Sequence, residues 1–142
     1  MPQSALTDRH VEQRALLRQE VGRFRAAEQR RRFPTTLHVG RLDGSRTTLE
    51  VPTTTGPLDR ATAFDLLDCR LGAALPAEVE AWVTRPGVPE LHDEDLLWLT
   101  VTAAAVAARG SSLTSFHAVT RTGWLDVRTG ESRVWVRLRL DR

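Results

Sequence analysis

The sequence predicts an α+β fold: a long N-terminal helix, a β-hairpin, central helices and a C-terminal three-stranded antiparallel meander. Three observations predict it. Apolar residues recur at helical spacing from Leu16 to Ala27 and again between Asp93 and Arg109. Two alternating stretches flank Asp43-Gly44-Ser45, and residues 114–140 alternate with period two. At 142 residues the chain suits one domain, 1–142, with the helix of residues 1–33 at its periphery. A domain of that length buries roughly two-thirds of its unfolded surface without staples.

Thr7 or Asp8 can cap a first helix that runs to about Arg32, where Phe33-Pro34 stops it, because the residue before proline is driven out of helical dihedrals. Leu16, Leu17, Val21, Phe24 and Ala27 cover one side of it, and Arg14, Arg18, Arg25 and Arg32 line the neighbouring edge. Arg30-Arg31-Arg32 suits the last turn, where cations are electrostatically favoured. In the hairpin, a three-residue loop at Asp43-Gly44-Ser45 sets Val39 against Leu49, Leu37 against Val51 and His38 against Glu50.

Asp59 caps the next helix, which turns Phe64, Leu67 and Leu71 inward and makes Cys69 a small buried filler. Pro76 suits the first position of a short helix holding Val79, Trp82 and Val83. The helix from Asp93 to Arg109-Gly110 has an acid-rich first turn, a glycine stop and apolar residues all round, so it is expected at the centre of the core. In the meander, a Thr129-Gly130 turn opposes Trp124 to Trp135, Asp126 to Arg133 and Arg128 to Glu131. A Thr122-Gly123 turn adds His117 and Arg121 to the same face as Trp124, Trp135, Arg137 and Arg139.

All 20 basic residues are Arg, and Lys, Ile, Asn and Tyr are absent, as expected of a high-GC bacterial genome. Only the positions of the arginines are therefore informative. Residues 1–35 hold eight Arg against four carboxylates, 36–51 two against two, 52–100 three against nine, and 101–142 seven against three. Basic ends around an acidic middle suit association with a second copy or attraction of a polyanion.

The longest uncharged apolar run, Leu96 to Ala108, has 13 residues, where a membrane-spanning helix needs about 20. With one cysteine and no secretory segment, a cytoplasmic location is expected. His10, His38, His92 and His117 are dispersed, so no metal is expected; no phosphate loop or dinucleotide fingerprint is present, so neither is a cofactor.

The leading functional expectation is a non-catalytic protein-interaction or self-associating module, for which a symmetric homodimer is the commonest solution. The alternative is a single-stranded nucleic-acid or polyanion binder using Arg14, Arg18, Arg25 and Arg32 with the face of His117, Arg121, Trp124, Trp135, Arg137 and Arg139. The first helix or a second subunit could instead cover that face. A second alternative is a small-ligand pocket, or an enzyme built from dispersed residues, between sheet and helices.

Overall fold

The computed structural model describes residues 2–53 and 56–135. Its elements are α1 (Pro2–Ala27), β1 (Thr36–Gly40), β2 (Arg46–Glu50), α2 (Arg60–Arg70), β3 (Glu78–Thr84), α3 (Asp93–Ala108), β4 (Ser112–Val119), β5 (Gly123–Asp126) and β6 (Ser132–Val134). The strands form one six-stranded sheet in the order β2-β1-β3-β4-β5-β6, so hairpin and meander share a sheet. Neighbours are antiparallel except β3 and β4, which are parallel and joined through α3. A parallel pair requires such a crossover.

β3 is the main departure from expectation. Val79, Trp82 and Val83 fit helical spacing, yet Glu78–Thr84 is a strand between β1 and β4. Its C-terminal part is covered on both faces, so Trp82 on the α1 side interrupts the alternation of Val79, Ala81 and Val83 and the period is not diagnostic. Val79, Ala81 and Val83 belong to the larger core cluster with α2 and α3 residues, while Trp82 belongs to the α1 cluster.

The larger cluster packs Leu67 of α2 and Trp98, Val101, Ala105 and Val106 of α3 against Leu37, Val39, Phe116, Ala118 and Leu125. Although α3 runs from Asp93 to Ala108 as expected, it forms an outer layer: Leu96 is 43% exposed, and the buried residues follow one side. On the opposite face, Leu17 and Val21 of α1 pack on Leu42, Trp82, Val119 and Trp124. The helix starts at Pro2 and ends at Ala27, five residues before Arg32. Phe33 folds back edge-on against Phe24, with ring centroids 5.3 Å apart, so this contact and not Pro34 marks the return of the chain.

Each hairpin pairs two residues away from the expected register. Leu37 faces Leu49, and His38 faces Thr48 in place of Glu50. Burial of Leu42 (1% exposed) draws the turn toward α1, and Arg41 closes it with its N–H on the Ser45 carbonyl. In the meander, Trp124 opposes Arg133 and Leu125 opposes Ser132. The Asp126 carboxylate accepts the backbone N–H groups of Arg128 and Thr129, a side-chain turn that closes the loop earlier. Arg128 donates to the Leu113 carbonyl, so neither expected charge pair of this hairpin forms. Between β4 and β5 the Thr120 N–H meets the Gly123 carbonyl, which leaves Arg121-Thr122 as the turn and aligns His117 with Asp126. Gly123 is required there, because a Cβ would sit 1.9 Å from the Arg133 carbonyl oxygen.

α2 starts as expected, Asp59 accepting the Thr62 N–H at 2.8 Å, but Cys69 is exposed, on the side of α2 away from Leu67. α3 is anchored by a buried ion pair. Arg85, 2% exposed, binds both carboxylate oxygens of Asp95, and its remaining N–H groups reach the carbonyls of Pro86, Val88 and Glu90. All five guanidinium donors are thereby satisfied.

Candidate functional site

Polar chemistry concentrates between α1 and the sheet. Glu20 of α1, 5% exposed, accepts from Arg46 at 2.8 Å. The Arg46 guanidinium lies 4.5 Å above the Trp82 ring, a cation–π contact. Trp82 in turn stacks on His38, centroids 5.1 Å apart and planes 4° from parallel. The His38 Nε2 is 3.0 Å from the Thr84 hydroxyl, and burial lowers its pKa to about 4. His38 thus has a structural partner, but in β3 and not the Glu50 that the shorter register implied.

The neighbouring part of the seam gathers several of the expected site residues. Arg14 and Arg18 of α1 and Trp124 and Trp135 line one recess of about 250 Å³, which Arg133 completes from β6. The Arg133 guanidinium lies 5.7 Å from the Trp135 ring. Trp124 is 4% exposed beneath α1 and Trp135 is half-buried, so the helix covers the inner part of this face. Arg14 forms an ion pair with Glu131. His117, 2% exposed, meets the Trp124 ring edge-to-face at 5.7 Å. Arg25, Arg32 and Arg121 do not line the recess; Arg32 follows the end of α1, and Arg121 sits in the β4–β5 turn. Arg137 and Arg139 lie outside the described residues.

Sequence reasoning missed Glu20, Arg46, Asp126 and Arg133. Their proximity depends on hairpin register, and the side-chain turn at Asp126 was its one local signal. The seam also holds buried polar atoms with no hydrogen-bond partner among the described residues, including His38 Nδ1, Trp82 Nε1, Ser115 Oγ, His117 Nδ1 and Trp124 Nε1. Each such atom costs roughly 1–3 kcal/mol. Under α3, by contrast, the unpartnered atoms are Trp98 Nε1 and Thr102 Oγ1. The α1 side therefore has more unpartnered buried polar atoms and the α3 side has the larger apolar core.

Among the described residues, no group of three or more His, Cys, Asp or Glu is arranged to hold a metal ion. No described helix is long and apolar enough to cross a membrane. No family model matches the sequence, and neither a curated protein nor a solved structure matches it.

Proposed function

We propose that the protein is a non-catalytic interaction module that associates with copies of itself, the basic α1 face of one against the acidic α2–α3 face of the next. The observation that carries this reading is the layer order combined with the charge count. α1 holds five Arg against three carboxylates on one side of the sheet, and Arg30, Arg31 and Arg32 follow its end. On the other side, α2 and α3 with the Asp59 cap hold six carboxylates against two Arg, one of the six, Asp95, being buried against Arg85. Exposed apolar residues accompany both faces: Val11 on α1, Leu96 on α3, and Val88 and Leu91 in the loop before α3.

In a twofold dimer each patch meets its own copy, which would set arginine against arginine. Opposite charge on opposite faces favours a head-to-tail contact instead, with charge setting orientation and encounter rate more than affinity. Charge-reversed variants test this. Arg9→Glu with Arg23→Glu removes the basic face, leaving α1 with three Arg against five carboxylates, and Asp65→Arg with Glu94→Arg removes the acidic face, leaving four carboxylates against four Arg. Each variant alone is expected to sediment as a monomer, and an equimolar mixture to associate. Association of either variant alone at the wild-type level would contradict the proposal.

One observation favours polyanion binding as a second reading, namely the convergence of Arg14, Arg18, Arg133 and Trp135 on one recess. Phosphate binding releases counterions, so affinity would fall steeply and linearly in log salt. Anisotropy of a labelled single strand at two salt concentrations separates the readings, and absence of binding at low salt eliminates this one.

A further inference from the structure

A recess of about 220 Å³ opens where the N-terminal half of α1 crosses β4 and β5. His117 on β4 and Asp126 on β5 are direct cross-strand partners in its lining. Their Nε2 and Oδ2 atoms stand 3.8 Å apart, too far for a hydrogen bond and a separation that one intervening hydroxyl or water can bridge. The other carboxylate oxygen, Oδ1, is committed to the N–H groups of Arg128 at 2.9 Å and Thr129 at 3.2 Å, so Oδ2 is the one turned to the imidazole.

Ser115 and Trp124, 7% and 4% exposed, also line the recess. Ser115 Oγ, His117 Nδ1 and Trp124 Nε1 are all buried without a hydrogen-bond partner among the described residues. This set requires both kinds of partner. The indole N–H needs an acceptor, whereas the imidazole and hydroxyl take either role. Burial keeps the imidazole neutral, its pKa lowered to about 4 against the opposing pull of Asp126.

The charged groups of the lining come in both signs and are already engaged, with each other or with the backbone. Arg14 is paired with Glu131, and Arg128 donates to the Leu113 carbonyl at 3.0 Å. An anion would meet Asp126 and Glu131, and a cation would meet Arg14 and Arg128. Hydroxyl groups suit the set without net charge, because each one both donates and accepts. The space is below the range of about 300–1,000 Å³ typical of drug-sized ligands.

We infer that this recess binds a small uncharged polyhydroxylated molecule, no larger than a monosaccharide, one hydroxyl of which bridges His117 and Asp126. This site is independent of the association proposed above, since the exposed charges of Arg9, Arg23, Asp65 and Glu94 take no part in its inner contacts.

Titration of the full chain with glycerol, D-glucose and myo-inositol, followed at the Trp124 indole N–H signal, tests the inference. Trp124→Phe assigns the signal, and acetate and methylammonium serve as charged probes. Saturable displacement of the signal by at least one of the three polyols, and by neither ion, is the expected result. Asp126→Asn keeps an oxygen for the turn but loses the charge, and it is expected to weaken that binding about tenfold, as loss of a charge-assisted hydrogen bond does. Ser115→Ala, which preserves the shape of the strand, is expected to weaken it as well. The inference is overturned if an ion displaces the signal in preference to the polyols. It is also overturned if all three leave the signal unmoved up to their solubility, the outcome for a recess that holds water alone, or if folded Asp126→Asn and Ser115→Ala both bind like the parent chain.

Discussion

Burial dominates the ionisation of partly buried His38 and buried His117, outweighing the opposing pull of Glu20 and of Asp126. Both have pKa values lowered to about 4 from an ordinary value of 6.5. Between those values the unfolded chain takes up protons that the folded chain refuses, so the unfolded state gains as pH falls. Stability is therefore full above about pH 6.5 and is lost on the way down to 4, by up to about 1.4 kcal/mol per histidine per pH unit. Urea unfolding at pH 7 and pH 5 is expected to give a lower midpoint at pH 5, and replacing both histidines by Gln to reduce the difference. A midpoint unchanged or higher at pH 5 would show that these rings are protonated or exposed. The carboxylates held low, Glu28 by Arg30 and Asp59 by Thr62, act from their ordinary values of 4.5 and 3.8 downward, so most of their effect falls below pH 5.

Between residues and the whole molecule, the loop from β3 to α3 shows how one side chain orders an element. Arg85 supplies every hydrogen bond that its guanidinium can make, three of them to backbone carbonyls of the loop, and Asp95 also accepts the His92 N–H at 2.9 Å. Asp95→Asn leaves a buried cation without its counter-charge, and breaking such a pair costs about 3–5 kcal/mol. Urea denaturation is expected to read a loss of that size, and a loss below 1 kcal/mol would mean that the pair is hydrated. In the sequence Asp95 was legible only as one of three acids favoured by the helix dipole, since nothing local distinguishes it from Asp93 and Glu94. The strands were legible in a similarly partial way. Alternation assigned Leu37, Val39 and Leu49 to one face correctly, because period two survives a shift of two residues. It could not choose the register, which was decided by the burial of Leu42 and by the Asp126 turn. β3 escaped recognition because buried Trp82 on its second face masks the alternation of Val79, Ala81 and Val83, and Pro76 invited a helix that the parallel pairing with β4 excludes. Arg14, Arg18, Trp124 and Trp135 were four of ten residues that the sequence grouped, and α1 was one of two covers it offered for that sheet face; no pattern in α1 states which face it covers.

At the scale of the molecule, three layers separate charges that the sequence arranges in blocks. α1 brings five arginines of the first block to one side of the sheet, and α2 and α3 with the Asp59 cap bring six of the nine carboxylates of the acidic middle to the other, while Glu78 and Glu80 of β3 line a recess with Arg9 of α1. Some of this charge is cancelled locally, as in Glu20 with Arg46, Glu28 with Arg30 and Asp68 with Arg109. In the proposed association the exposed remainder on each face meets a second copy, an interaction screened beyond about 8 Å at physiological salt. Light scattering of the purified chain over a range of protein and salt concentrations therefore tests the central claim most directly. The account predicts a mean mass that rises with protein concentration past that of a dimer at low salt and falls to the monomer at high salt. A monomer under every condition, or a dimer of constant mass indifferent to salt, would contradict it.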